Sequence, residues 1–150
     1  TAGEVHDRMK EIGAALLVKT VHGIVANTLV EVPQTLTNDV LAPNAPKIYT
    51  ATCAIDFSKP VQTVHNLIRG LSPFPGAFTF LEGKMLKIYG SHQEWALHQV
   101  PSGTMETDGR QFLRFATPDG WLYATSLQLE GKRKMPVIDF LRGYRQKEPS

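Results

Sequence analysis

Apolar residues in the first part of the chain recur at helical spacing. Val5, Met9, Ile12 and Leu16 stand at i, i+4, i+7 and i+11 and predict one helical stripe from Thr1 to about Asn27, with Asn27 as the stop. Leu17, Val18, Val21 and Val25 fall on roughly the opposite side at about 100° per residue. A helix apolar on both sides needs covering on both sides, either by the rest of the chain or by a further domain. Thr28 to Pro33 alternates weakly and predicts a short extended run. Asn38, Pro43, Asn44 and Pro46 then mark a linker from about Gln34 to Lys47. Ser58 is placed to cap a second helix with Pro60 in its first turn, and Val61, Val64, Leu67, Ile68 and Leu71 form its apolar stripe. Pro73 and Pro75 end that helix, since neither can extend the backbone ladder.

Beyond Gly76 the period shortens to that of strands. Turn signals at Glu82-Gly83-Lys84, Pro101-Ser102-Gly103, Asp108-Gly109, Pro118-Asp119-Gly120 and Glu130-Gly131-Lys132 separate runs rich in aromatic and β-branched residues. The predicted strands are 77–81, 85–91, 97–100, 103–106, 111–116 and 121–129. Such short, regularly spaced strands favour a small closed or partly closed barrel, because closure removes exposed edges. A last helix starts at Pro136 and docks through Val137, Phe140, Leu141 and Tyr144. The expected fold class is therefore mainly β with flanking helices, a small barrel preceded by a helical segment and a linker.

Composition narrows the class. In 150 residues, 42% hydrophobic and 20% charged, there is enough apolar material for a core and too much for a disordered tail. No run approaches the roughly 18 apolar residues of a membrane span. Cys53 is the only cysteine, so no internal disulfide forms, and a reducing, cytoplasmic location is the default. The chain opens on Thr1-Ala2-Gly3-Glu4, a capping box with neither an initiator Met nor a leader before it, which predicts a fragment of something longer.

Catalytic signatures are missing. There is no G-x-S-x-G elbow, Walker loop, dinucleotide G-x-G-x-x-G or H-E-x-x-H, and His92 and His98 have a spacing that suits no common metal pair. Asp56 is read as a turn or capping residue. Charge distribution is more informative than the net +2. The first 75 residues carry six Lys and Arg against six Asp and Glu, and the second 75 carry ten against eight. Lys132-Arg133-Lys134 is an uninterrupted basic triplet beside Gly131, followed by Arg142, Arg145 and Lys147. Such a triplet is either plain solvated surface or a track for a phosphate backbone.

Local strings add what periodicity does not. Ile55-Asp56-Phe57-Ser58-Lys59-Pro60, Ile68-Arg69-Gly70-Leu71-Ser72-Pro73-Phe74-Pro75-Gly76-Ala77-Phe78-Thr79, Leu127-Gln128-Leu129-Glu130-Gly131-Lys132-Arg133-Lys134-Met135 and Phe140-Leu141-Arg142-Gly143 stand in the order found in the methionyl-tRNA formyltransferase family. The chain resembles that family over nearly its whole length. Phe57 and Phe74 stand where the family commonly has Trp, and both are expected to remain aromatic core residues.

The resemblance implies an OB-like C-terminal domain over 48–150. It also implies a linker over 34–47 and, over 1–33, the trailing helical segment of a formyltransferase catalytic domain absent from the chain. The activity implied for the parent enzyme is transfer of a formyl group from 10-formyltetrahydrofolate, its co-substrate, to the methionyl amino group of initiator tRNA. Catalytic residues would precede Thr1, so no catalytic, cofactor or metal residue is assigned here. The implied partners are initiator methionyl-tRNA and the catalytic domain, with no membrane and a monomeric parent. The implied tRNA contacts are Lys47, Arg69, Lys87, Lys132, Arg133, Lys134 and Arg145, with Arg69 equally suited to bonding backbone carbonyls. Two alternatives stay open: a related formyltransferase or formyltetrahydrofolate hydrolase with a non-RNA substrate, and a free-standing RNA-binding module.

Overall fold

The computed structural model describes residues 1–31 and 44–144. The chain divides into two compact units, one of Glu4–Ile48 and one of Thr1–Gly3 with Tyr49–Ser150. Helix α1, Ala2–Val25, accounts for most of the first unit and has no buried residue. It ends where the sequence predicts. Asn27 adopts φ 56°, the Thr28 amide donates to the Gly23 carbonyl at 2.9 Å, and the Asn27 amide donates to the Ile24 carbonyl at 3.1 Å. That pair of bonds satisfies carbonyls the helix would otherwise leave open. The predicted extended run shows no strand over 28–31, and the rest of it lies outside the described residues, as does most of the predicted linker.

In the second unit a 3₁₀ turn, Thr50–Cys53, precedes α2, Val61–Leu71. Val61, Val64, Ile68 and Leu71 are buried and Leu67 packs beside them, as the stripe requires. Ser58 does not cap this helix. Its amide and hydroxyl both donate to Asp56 Oδ1, at 3.0 and 2.6 Å, closing a local turn. Pro60 occupies the N-cap position without a side-chain bond, and the Val61 amide donates to Asp119 Oδ1 at 2.8 Å. The cap thus comes from a distant hairpin, which no local pattern could reveal.

Six antiparallel strands form one curled sheet: β1 (Ala77–Leu81), β2 (Lys84–Trp95), β3 (Met105–Thr107), β4 (Leu113–Thr117), β5 (Gly120–Leu129) and β6 (Met135–Pro136). Their order is β1-β2-β5-β4-β3, with β6 also on β5. The β1–β2 hairpin turns on Glu82 and Gly83, both at positive φ (49° and 77°), the form that matches strand twist. Register shifts on either side of Gly90 mark a bulge in β2, where a Cβ would meet Thr125 Oγ1 at 2.6 Å. The sheet closes partly, into a half-barrel. The outer edge of β1 is covered by a parallel bridge between Ala54 and Phe78, with the Ile55 amide donating to the Phe78 carbonyl at 2.8 Å.

Two predicted strands need correction. The run 97–100 is not a strand: β5 starts at Gly120 opposite Trp95, and the ladder closes with the Ala96 amide donating to the Asp119 carbonyl at 3.2 Å, in the turn before β5. His98 instead reaches the Gly120 carbonyl through Nε2 at 3.0 Å. β2 runs to Trp95 rather than Ser91, its polar far end being held by β5. The core lies between α2, α3 (Val137–Gly143) and the concave face of the sheet, with Leu86, Ile88, Leu113, Leu122 and Leu127 fully buried. Phe57 is 8% exposed and stacks on Phe115 at 4.7 Å, as a core aromatic should. Phe74 is 86% exposed, so the expectation of a second core aromatic is wrong. The paired prolines put it at the tip of a turn instead of carrying it inward. Among the described residues no helix is long and apolar enough to cross a membrane.

Candidate nucleic-acid interface

The alternation of the strands sorts side chains between two faces. On β2, Leu86 and Ile88 point into the core, and Lys87 and Tyr89 point outward beside Gln128 of β5, the register partner of Lys87. The Lys87 ammonium donates to the Pro75 carbonyl at 3.0 Å. Gly76 permits this approach: at φ 87° and without a side chain, it leaves room where a Cβ would lie 3.0 Å from the Tyr89 ring and 3.4 Å from Lys87 Cδ.

The loop joining β5 to β6 carries the basic triplet over this face. The Tyr89 hydroxyl donates to Gln128 Oε1 at 2.9 Å, and Gln128 Nε2 donates to the Lys132 carbonyl at 2.9 Å. The Lys134 ammonium sits 4.7 Å from the centre of the Tyr89 ring, a contact worth about 0.5–1 kcal/mol at an exposed site. Burial pushes the Tyr89 hydroxyl pKa up, which keeps it a proton donor to Gln128. Within the loop the Lys132 amide donates to the Leu129 carbonyl at 2.8 Å, and Gly131 takes φ 76°. The backbone at Lys132 is thereby held through both its amide and its carbonyl, while Lys132, Arg133 and Lys134 are exposed. None of them, nor Lys87, forms an ion pair among the described residues. Like charges held together without a carboxylate among them favour an anion.

Of the seven residues implied by the resemblance, the structure brings together Lys87, Lys132, Arg133 and Lys134. Lys47 is exposed and belongs to the other unit. Arg145 lies outside the described residues. Arg69, in the last turn of α2, is exposed and makes no side-chain hydrogen bond among the described residues, so the carbonyl-bonding role is not observed. Its charge acts on His65 one helical turn earlier. Burial first, then Arg69 and His92, holds the His65 pKa below the ordinary histidine value, and its ring bonds Ser91 Oγ at 2.9 Å.

Several contributors had no sequence signal. Tyr89 and Gln128 are ordinary strand residues until the β2–β5 register sets them against the basic loop. Phe80, 62% exposed on β1, lines a groove of about 350 Å³ with Met85, Lys87, Gln128 and Glu130. Farther along the outer face a cross-strand row runs Glu106, Arg114, Tyr123, His92. Arg114 donates to Glu106 Oε2 at 2.7 Å and to the Tyr123 hydroxyl at 2.8 Å and lies 3.9 Å over Trp121, while His92 stacks on Tyr123 at 4.6 Å. These groups satisfy one another, which suits a stiffening girdle better than a binding site. Among the described residues no three His, Cys, Asp or Glu side chains are grouped to hold a metal, and Cys53 is buried with its thiol 3.4 Å from the Tyr49 carbonyl.

Residues 47–145 match the family described as formyl transferase, C-terminal domain. The methionyl-tRNA formyltransferase of Bacteroides thetaiotaomicron is 40% identical to this chain over 94% of it and 46% of that protein. The corresponding protein of Geotalea uraniireducens is 40% identical, over 94% and 44%. The one from Moorella thermoacetica is 38% identical, over 96% and 45%. Among solved structures, a variant of HypX from Aquifex aeolicus superposes with a TM-score of 0.61 at 18% identity, covering 87% of this chain and 24% of that one, a likeness of fold. The chain spans a little under half the length of the curated relatives it matches.

Proposed function

Since the chain belongs to the formyl transferase C-terminal domain family, we propose that it is the tRNA-binding half of a methionyl-tRNA formyltransferase acting in translation initiation. In this reading 48–150 is the OB-like domain, 34–47 the linker and 1–33 the end of a catalytic domain that performs the chemistry. 10-Formyltetrahydrofolate enters as co-substrate of the whole enzyme, and no residue of this chain is assigned to it. The partner is initiator methionyl-tRNA, in the cytoplasm, with the enzyme working as a monomer.

The observation that supports the reading is the basic loop anchored at Lys132 over the outer sheet face. Lys132, Arg133, Lys134 and Lys87 offer cations with no carboxylate partner among the described residues at one end of a half-barrel, an arrangement suited to a phosphate backbone. Their contacts supply affinity and register and read no bases. Lys47, Arg69 and Arg145 are the further tRNA contacts of this reading, each to be tested by its own substitution.

The test measures binding of initiator tRNA against salt concentration. Each phosphate contact contributes about 0.9 to the slope of log affinity on log salt for a duplex and about 0.7 for a single strand. Replacing Lys132, Arg133 and Lys134 together by Ala should weaken binding and flatten the slope by roughly two to three. Unchanged affinity and slope would remove the proposed surface. Formylation of methionyl-tRNA by the intact enzyme separates this reading from a relative that acts on a non-RNA substrate.

A further inference from the structure

We infer that the β1–β2 end of the outer sheet face is a stacking site for unpaired RNA bases, with Phe74 and Phe80 as platforms and Lys87 between them as the phosphate anchor. The inference rests on the tRNA-binding reading above. It goes beyond that reading by assigning contacts to base faces of single-stranded nucleotides.

Phe74 stands between Pro73 and Pro75, whose rings restrict the backbone on both sides of it, so an 86% exposed side chain is presented with little backbone entropy left to lose. The next carbonyl, that of Pro75, accepts the Lys87 ammonium, which keeps donors to spare for a phosphate. On the other side of Lys87, Phe80 forms a wall of the groove with Met85, Gln128 and Glu130. At about 350 Å³ this groove lies in the range that holds a small ligand.

The polar groups of the groove are already engaged. Gln128 uses both ends of its amide, on Tyr89 and Lys132, and Glu130 Oε2 accepts the Met85 amide at 3.0 Å. Little is left to read base edges, so recognition would be by ring faces and tolerant of sequence. Charge selects the occupant. Lys87 and Glu130 are the charged groups lining the groove, and the basic loop adjoins it through the Gln128–Lys132 bond and the Lys134–Tyr89 contact, while Glu82 at the hairpin tip is taken by the Tyr144 hydroxyl at 3.0 Å. Flat apolar surface joined to anions is the chemistry of a nucleic-acid strand with its bases splayed out.

The experiment uses the intact protein that carries this chain, with Phe74→Ala and Phe80→Ala. Initiator tRNA, a short single-stranded oligoadenylate and a blunt RNA duplex serve as probes, read by fluorescence anisotropy. Each substitution should weaken tRNA and oligoadenylate binding roughly ten-fold, the scale of one stacked base, and leave duplex binding and the salt slope unchanged. Phe74→Leu should behave as Ala does, and Phe74→Trp should keep affinity and show quenched emission on binding. If the Phe variants bind single strands normally while the Lys132–Arg133–Lys134 triple Ala variant does not, the stacking site is wrong and the tRNA reading survives. If neither set changes binding, the tRNA reading itself fails. Full function with Leu, or a Phe74→Ala variant that alters assembly or melting without altering RNA affinity, would make this face a protein-docking surface and overturn the inference.

Discussion

The carboxylate of Asp119 joins two elements 58 residues apart, taking the first amide of α2 at 2.8 Å. It sits in the β4–β5 turn, where Thr117, fully buried, donates to the Gly120 carbonyl at 2.8 Å. Asp119→Ala leaves the amide at the head of α2 without its acceptor and should cost about 1 kcal/mol, the usual scale of a lost helix cap, seen as a lowered urea midpoint with unchanged slope. His65 gives a pH signature. Its pKa in the folded chain is depressed by burial and by the charges of Arg69 and His92, so below the ordinary value of 6.5 the unfolded chain binds more protons. Stability contributed by neutral His65 is complete above that pH and is lost as the solution is acidified through the folded pKa. Urea midpoints across this range should fall toward acid, and His65→Gln should flatten that part of the profile. At the end of α3, burial and the bond to Glu82 push the Tyr144 pKa up to about 12, so its phenol stays a proton donor to Glu82 well into alkaline solution.

Among elements, β2 and β5 organise the rest: β5 pairs with β2 on one side and with β4 and β6 on the other. Their far ends meet where Gly120 opposes Trp95, and a Cβ at Gly120 would collide with the Glu94 carbonyl. The obstacle is backbone, so it cannot move aside as a side chain would. Gly120→Ala should therefore destabilise by about 1–3 kcal/mol, with denaturant unfolding as the measure. The helices and the first strand were legible because their signals are local: a stripe ended by Asn27, a stripe ended by prolines, and an aromatic run beside Glu82-Gly83. The far half of β2 and the two-residue β6 were not, because each exists only through pairing with β5. The run 97–100 failed for the converse reason, having strand-like residues and no partner.

For the whole molecule, a net charge of +2 conceals a cluster that matters more than the sum. The basic triplet is visible in the sequence. Its worth as a site depends on the β2–β5 register, which sets Lys87 and Tyr89 beneath it, and on Gly76, which lets the Pro73–Pro75 turn approach. Burial decided between two aromatic residues that the sequence treated alike: Phe57 entered the core against Phe115, and Phe74 was left at the tip of its turn. By itself the sequence determined the helical stripes, the hairpin turns, the family strings and the location of the cations. These depend on neighbours a few residues apart and on backbone preferences that need no distant partner. Only the tertiary structure decided which cations stand together, which aromatic rings face outward and which carboxylate caps α2. Those outcomes follow from strand register and from contacts across 26 to 58 residues, whose geometry no local pattern encodes.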